Sequence, residues 1–167
     1  MLDPAPSGQP RRRLFHERFE RVLAGGFAAP RVLAVLSLDL DGLRPIPDRH
    51  GRDTADELMR IVATRMMLAM RVQDAACRVG DDEFACLLVD AIDREQLAVR
   101  ASTLYDAVAA PLLLGGLSLC LRPSIGVAMY PSDGATGARL LTRADAARLR
   151  ARRRQLAVAF FDRQADL

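Results

Sequence analysis

Apolar residues along this chain fall into short runs of two kinds. Residues 31–38 (RVLAVLSL) are nearly all apolar, the pattern of a buried strand, and the run ends on Asp39 and Asp41. Upstream, Leu14, Phe15, Phe19, Val22 and Leu23 share one helical face between Arg12 and Ala24, and Gly25 and Gly26 stop that helix. Downstream, Pro45 and Pro47 break the chain ahead of an amphipathic helix over 53–70. That helix carries Leu58, Ile61, Val62, Met66 and Ala69 on one face, with Asp53 or Thr54 as its cap. Two apolar runs, 75–79 and 84–89, flank GDDE and predict a hairpin. Residues 93–109 read as a helix stopped by Pro111, and 117–121 with 124–130 as a second strand pair. Residues 138–153 read as a helix with Leu140, Leu141, Ala144 and Ala147 inward, and 156–161 as a last short strand.

Strands and helices therefore intermix, with hairpins as well as helical crossovers. The pattern predicts an α/β sandwich around a mostly antiparallel central sheet flanked by helices. A length of 167 residues favours one compact domain. Residues 4–11, rich in proline, glycine and polar groups, read as a leader or linker, which sets residues 1–11 apart from a domain over 12–167. No apolar run is long enough to span a bilayer and no charged-then-apolar leader opens the chain, so a cytoplasmic location is expected.

Composition narrows the chemistry. Cys77, Cys86 and Cys120 are odd in number and widely spaced, with His16 and His50 the only histidines, so neither a disulfide framework nor a zinc site is expected, and the thiols read as buried and reduced. Every basic side chain is arginine, and the net charge is only +3. The dense cluster Arg148, Arg150, Arg152, Arg153 and Arg154 reads as a solvated helix face. It lacks the aromatic partners or motif that nucleic-acid binding would call for.

Acidic residues collect at two strand ends: Asp39-Leu40-Asp41 after the first buried run, and Asp81-Asp82-Glu83 at the hairpin tip. If the two strands are neighbours, the acids meet, and clustered carboxylates repel unless a cation holds them. Polar turn residues without a ligand are the alternative that spacing leaves open.

Motifs spread over almost the whole chain carry a family resemblance. RVGDDEF (78–84) resembles the RxGGDEF signature of diguanylate cyclases. LDLDGLRPIPDRHGRDTADEL (38–58) is similar, without a gap, to that family's LDxDxFKxINDxxGHxxGDxxL pattern. PSIGVAMYPSDG (123–134) resembles its SIGVAxxPxDG strand, LLTRADAARLRARR (140–153) its LLxxADxALYxAK helix, and PSGQPRRRLF (6–15) its opening LTGLPNRRxF. The resemblance implies the palm-like sandwich shared with class III nucleotide cyclases. It also implies two domains facing each other, each holding one GTP, with Mg2+ neutralising phosphates and activating the ribose hydroxyl to make cyclic di-GMP.

Carried over residue by residue, the resemblance assigns Asp39, Asp82 and Glu83 to catalysis and, with the backbone carbonyl of Leu40, to Mg2+. It assigns Asp56 to the guanine edge, Gly80 to the tight turn, and Arg44 and Arg152 to phosphates. Other positions depart from the pattern. Pro47 stands where an asparagine reads guanine, a loss of roughly 1–3 kcal/mol. Asp81 replaces the second glycine and sets a carboxylate near phosphates, a repulsion on the order of 4 kcal/mol at close range. Leu149 replaces a tyrosine, and Leu156 falls where a phosphate-binding arginine is usual.

Many members carry an inhibitory RxxD site six residues ahead of the first glycine. Arg71-Val72-Gln73-Asp74 stands in that register, which implies a cyclic di-GMP site at Arg71 and Asp74 with Arg100 as a supporting cation. RxxD also occurs at Arg78–Asp81 and Arg163–Asp166, so register alone distinguishes it, and a helix-end ion pair is the other reading.

The expected function is a degenerate domain that binds cyclic di-GMP or GTP as a regulatory or receptor module, with little or no cyclase activity. A weak homodimeric cyclase and a structural dimerisation module are the alternatives. VAFFD (158–162) resembles the short strand that closes such domains ahead of an EAL phosphodiesterase domain, so the chain is expected to belong to a longer protein with an upstream sensor.

Overall fold

A nearly all-apolar strand needs cover on both faces, and the apolar run at 31–38 has it. The computed structural model describes the backbone of residues 8–25, 32–41 and 46–167 and the side chains of 12–25, 32–41 and 53–167. In chain order its elements are α1 (Gly8–Ala24), β1 (Val32–Asp41), α2 (Ile46–Ala69), β2 (Ala75–Arg78), β3 (Glu83–Ala91), α3 (Arg94–Ala109), β4 (Leu112–Leu114), β5 (Leu117–Leu119), β6 (Arg122–Tyr130), α4 (Gly137–Arg153), β7 (Val158–Phe160) and α5 (Arg163–Asp166). Five strands form one sheet in the order β2-β3-β1-β6-β7. β1 is antiparallel to both β3 and β6, β2 is antiparallel to β3, and β7 alone runs parallel to its neighbour β6.

The two faces of the sheet follow from the strand period of two. On β1, Ala34, Leu36, Leu38 and Leu40 point into a core with Leu58, Val62 and Met66 of α2 and Leu97, Ala101, Leu104 and Val108 of α3. Leu33 and Val35 point the other way, into a core with Phe15 and Phe19 of α1 and Leu140, Leu141, Ala144 and Ala147 of α4. Along that second face β1 turns polar: Ser37 and Asp39 are buried beyond Val35, and Asp41 ends the row partly buried. One side of the strand thus stays apolar throughout, and the other ends as a polar row.

Local signals set several boundaries. Asp93 caps α3 by accepting from the Gln96 N–H, and the Gln96 side chain accepts from the Ile92 N–H one residue ahead of the cap. Thr136 caps α4 by accepting from the Arg139 N–H. Helix α2 starts at Ile46 rather than near Asp53, so Pro47 stands in its first turn, where the missing N–H has no intrahelical partner to lose. Residues 8–11, expected as linker, already belong to α1.

The second strand pair is not the one the sequence pattern predicted. β5 pairs with β4, across Gly115 and Gly116 at φ +55° and +79°, the two-residue turn that suits a hairpin. β6 joins β1 and β7 in the main sheet instead. The three-residue strand β4 follows directly on the helix stop at Pro111, too short to show a period of its own. Of the thiols, Cys86 is buried, Cys77 partly so, and Cys120 is exposed, contrary to the expectation for that residue; among the described residues none is joined in a disulfide.

Candidate functional site

The two acidic strand ends do meet. Asp39 on β1 is the register partner of Glu83 on β3 and, on its other side, of Ser124 on β6. The hairpin tip is tied to β1 by the Leu40 N–H, which donates to the Asp82 carbonyl at 3.1 Å. Arg78, which opens the RVGDDEF stretch, braces the tip from below through the carbonyls of Gly80 (3.1 Å) and Asp81 (2.6 Å). At Gly80 a side chain would begin 3.1 Å from Glu83 Oε2, so the glycine leaves Glu83 its room. Asp81 is exposed at the tip.

What lies between the acids is an arginine. Arg148 of α4 is buried; its Nη1 donates to Asp39 Oδ2 at 2.7 Å, its Nη2 reaches Glu83 Oε1 at 3.4 Å, and its Nε donates to Ser37 Oγ at 3.0 Å. Ser37 Oγ in turn donates a hydrogen bond to Asp145 Oδ1 at 2.5 Å. Arg152 adds a second cation, 3.3 Å from Asp39 Oδ2 and 2.9 Å from Asp41 Oδ1, and Arg12 of α1 stands 3.7 Å from Glu83 Oε2. Gly126 makes this possible: it lets α4 lie directly on β6, so Arg148 starts close enough to reach across to β1.

The electrostatic balance is incomplete. Burial pushes the Asp39 carboxyl above its ordinary range; Arg148 pulls it back, Asp82 and Asp41 push it up again, Arg152 pulls it down, and the net direction is up.

The arginine cluster expected to be a solvated face is therefore divided. Arg153 and Arg154 are exposed, but Arg148 sits in the acid centre and Arg150 pairs with Asp166 at 2.7 Å. A signal for Arg148 was present. It follows Ala144 by four residues and precedes Ala151 by three, on the same buried stripe as Leu140 and Leu141.

Beside the acids an open cavity of about 530 Å³ is lined by Asp41, Tyr105, Arg122, Pro123, Ser124, Arg152, Gln155 and Leu156. Arg152 and Leu156 thus share one cleft, while Leu149 is half-exposed on α4. Asp56 is exposed on α2 and enters none of the contacts of the acid centre. Arg44 and the side chain of Pro47 lie outside the described residues.

The RxxD segment is split between solvent and core. Arg71 is exposed, whereas Asp74 is buried. The two meet through the backbone of Arg71: its N–H lies 2.9 Å from Asp74 Oδ2, and its carbonyl accepts from the Asp74 N–H at 3.0 Å. The ion partner of Asp74 is Arg100, whose Nη2 is 2.6 Å from both carboxylate oxygens, and the Val89 N–H donates to Oδ1 at 3.0 Å. Arg100 is thus a direct partner, where a supporting role was expected, and no helix-end ion pair with Arg71 forms.

The family profile described as "Diguanylate cyclase, GGDEF domain" matches residues 7–156. The chain belongs to the GGDEF family. This GGDEF domain is 36% identical over 138 residues to the bifunctional diguanylate cyclase/cyclic di-GMP phosphodiesterase MucR of Pseudomonas aeruginosa, covering 83% of this chain and 20% of that protein. The chain therefore spans only about a fifth of that relative's length. The solved GGDEF domain of TpbB from Pseudomonas aeruginosa superposes with a TM-score of 0.82 at 31% identity, covering 90% of this chain and 89% of that one. An EAL/GGDEF domain protein from M. capsulatus gives a TM-score of 0.75 at 34% identity, covering 92% and 99%. The family ties this GGDEF domain to cyclic di-GMP signalling.

GGDEF cyclases generally use Mg2+. The described side chains of this GGDEF domain do not fit one. Asp39 Oδ2 already accepts from two guanidinium groups, Glu83 lies between Arg148 and Arg12, and Asp41 is held by Arg152 and Ser124. Among the described residues no group of three or more His, Cys, Asp or Glu is arranged to hold a metal ion. Nor, among them, is any helix long and apolar enough to cross a membrane.

Proposed function

We propose that this GGDEF domain serves cyclic di-GMP signalling as a nucleotide-binding regulatory module, with little or no cyclase activity of its own. The observation that carries this reading is the seat of Arg148 between Asp39 and Glu83. Two of the acids that the resemblance assigns to catalysis are taken up by the protein's own cation. The exposed carboxylate of Asp81 beside the turn, and Leu156 in the cleft with Arg152, weigh the same way against a triphosphate. The residues this reading gives to a nucleotide are Arg152, which lines the cleft while it holds Asp39 and Asp41, Asp56 and Arg44 as the resemblance assigns them, and Arg71 at the RxxD segment. At that segment a guanine would meet Arg71 first, and would reach Asp74 only by displacing Arg100.

A relative that joins cyclase and phosphodiesterase, and a neighbour described as an EAL/GGDEF protein, support a setting beside an EAL-type domain. In that setting the domain would act on its neighbour rather than make the messenger. The weak homodimeric cyclase is the second reading, favoured by the Asp39–Glu83 register and by relatives named as cyclases.

The test is to incubate the purified chain with GTP and Mg2+ and to quantify cyclic di-GMP by chromatography. Little or none is expected. Turnover comparable to that of the TpbB GGDEF domain would overturn the regulatory reading in favour of the second.

A further inference from the structure

We infer that Arg148 is a built-in counter-cation: its guanidinium occupies the position between Asp39 and Glu83 that a divalent ion would need, and so closes the acid centre of this domain to metal. The inference rests on the functional reading above and deepens it by naming what fills the site.

The sequence places the charge there by two independent means. Arg148 lies on the helical stripe that α4 turns to the sheet, in line with Leu140, Ala144 and Ala151, and in the LLxxADxALYxAK pattern this position is leucine. Leucine would leave Asp39 and Glu83 only the partly exposed cations Arg152 and Arg12. Gly126, directly under the helix, brings the backbone of Arg148 close enough that its side chain ends over β1 instead of in solvent.

The seat is complete. All three kinds of guanidinium nitrogen are engaged, Nε by Ser37, Nη1 by Asp39 and Nη2 by Glu83, and the side chain is 7% exposed. Ser37 in turn is fixed by Asp145, so the group that receives Nε cannot turn away without losing its own acceptor. Magnesium requires oxygen ligands at about 2.0–2.1 Å in near-octahedral array. An ion on Asp39 Oδ2 would have to displace both Arg148 and Arg152, and one on the other carboxylate oxygen would stand beside a desolvated guanidinium under α4. An arginine is charged at every accessible pH, so the charge brought to this seat does not vary with conditions.

The experiment uses Mn2+ as the probe on the whole chain, with the paramagnetic signal of free Mn2+ reporting binding and thermal unfolding run in parallel. The wild type is expected to show no Mn2+ site that Asp39→Asn removes, and a Tm unmoved by Mn2+. Arg148→Leu is expected to bind Mn2+ at least about tenfold more tightly than the wild type, to lose that gain when Asp39→Asn is added, and to unfold at a temperature that rises with Mn2+. Arg148→Met, which keeps an unbranched stem, serves if the leucine variant does not fold, and the wild-type titration needs no variant. An Asp39-dependent Mn2+ site in the wild type would overturn the inference. So would a folded Arg148→Leu or Arg148→Met that gains no Mn2+. Cyclic di-GMP production by a wild type that lacks an Asp39-dependent site would sink the functional reading and support this one.

Discussion

Gly126 of β6 lies so close beneath α4 that a Cβ built on it would stand 1.9 Å from the carbonyl oxygen of Ala144 and 2.3 Å from the backbone nitrogen of Arg148. No side-chain rotation relieves a clash between backbone and backbone, so any residue larger than glycine must push the helix off the sheet. Gly126→Ala is therefore expected to destabilise the domain by at least about 1–3 kcal/mol. It should also pull Arg148 away from Asp39. Urea unfolding measures the first effect. A variant as stable as the wild type would show that the helix has slack there.

Asp74 and Arg71 are neighbours in sequence with opposite duties. Asp74 is held by Arg100 in a pair whose side chains are 1% and 11% exposed. Removing one partner of such a pair leaves an uncompensated buried charge, and Arg100→Ala is expected to cost about 3–5 kcal/mol of stability. Arg71 is exposed and its side chain can go without harm to the fold. Arg71→Ala is expected to keep the Tm and to weaken cyclic di-GMP binding about tenfold, roughly 1.4 kcal/mol, by calorimetry. Equal affinity in that variant would move any binding to another surface.

The Arg150–Asp166 pair ties α5 to α4. Burial by itself would raise the Asp166 pKa; the hydrogen bond from Arg150, the Asp162 N–H and the charges of Arg150 and Arg153 outweigh it and bring the value below the ordinary 3.8. A lowered folded value means that the stabilisation is fully present above pH 3.8 and is lost as pH falls through the lower, folded pKa. Asp166→Asn is expected to destabilise the chain by roughly 1–3 kcal/mol at neutral pH, and the gap to wild type should close on acidification below that value. Urea unfolding of both proteins across pH is the check; a gap that stays constant down to strongly acid pH would contradict the assignment.

Helix and strand periods are local, and most elements were legible in them. The stripe on α4, the alternation on β1 and the tip at GDDE need only a few consecutive residues to declare themselves. Where an element was shorter than its own period, as with β4, or where a proline stood in a helix's first turn, as Pro47 does in α2, the local signal failed.

By itself the sequence determined which apolar residues lie on which face, that Asp39 and Glu83 stand at strand ends, and which family pattern the chain carries. Only the tertiary structure decided that β6 pairs with β1 instead of β5, that Asp74 answers to Arg100 across 26 residues, and that Arg148 is spent on Ser37 and Asp39 across 111 and 109 residues. The reason is physical. A side chain's face is set by the turn or pleat of its own segment, whereas the partner of a charge is set by strand register and by how closely a helix can approach a sheet. At Gly126 the atom that is missing from one residue selects the partner of another.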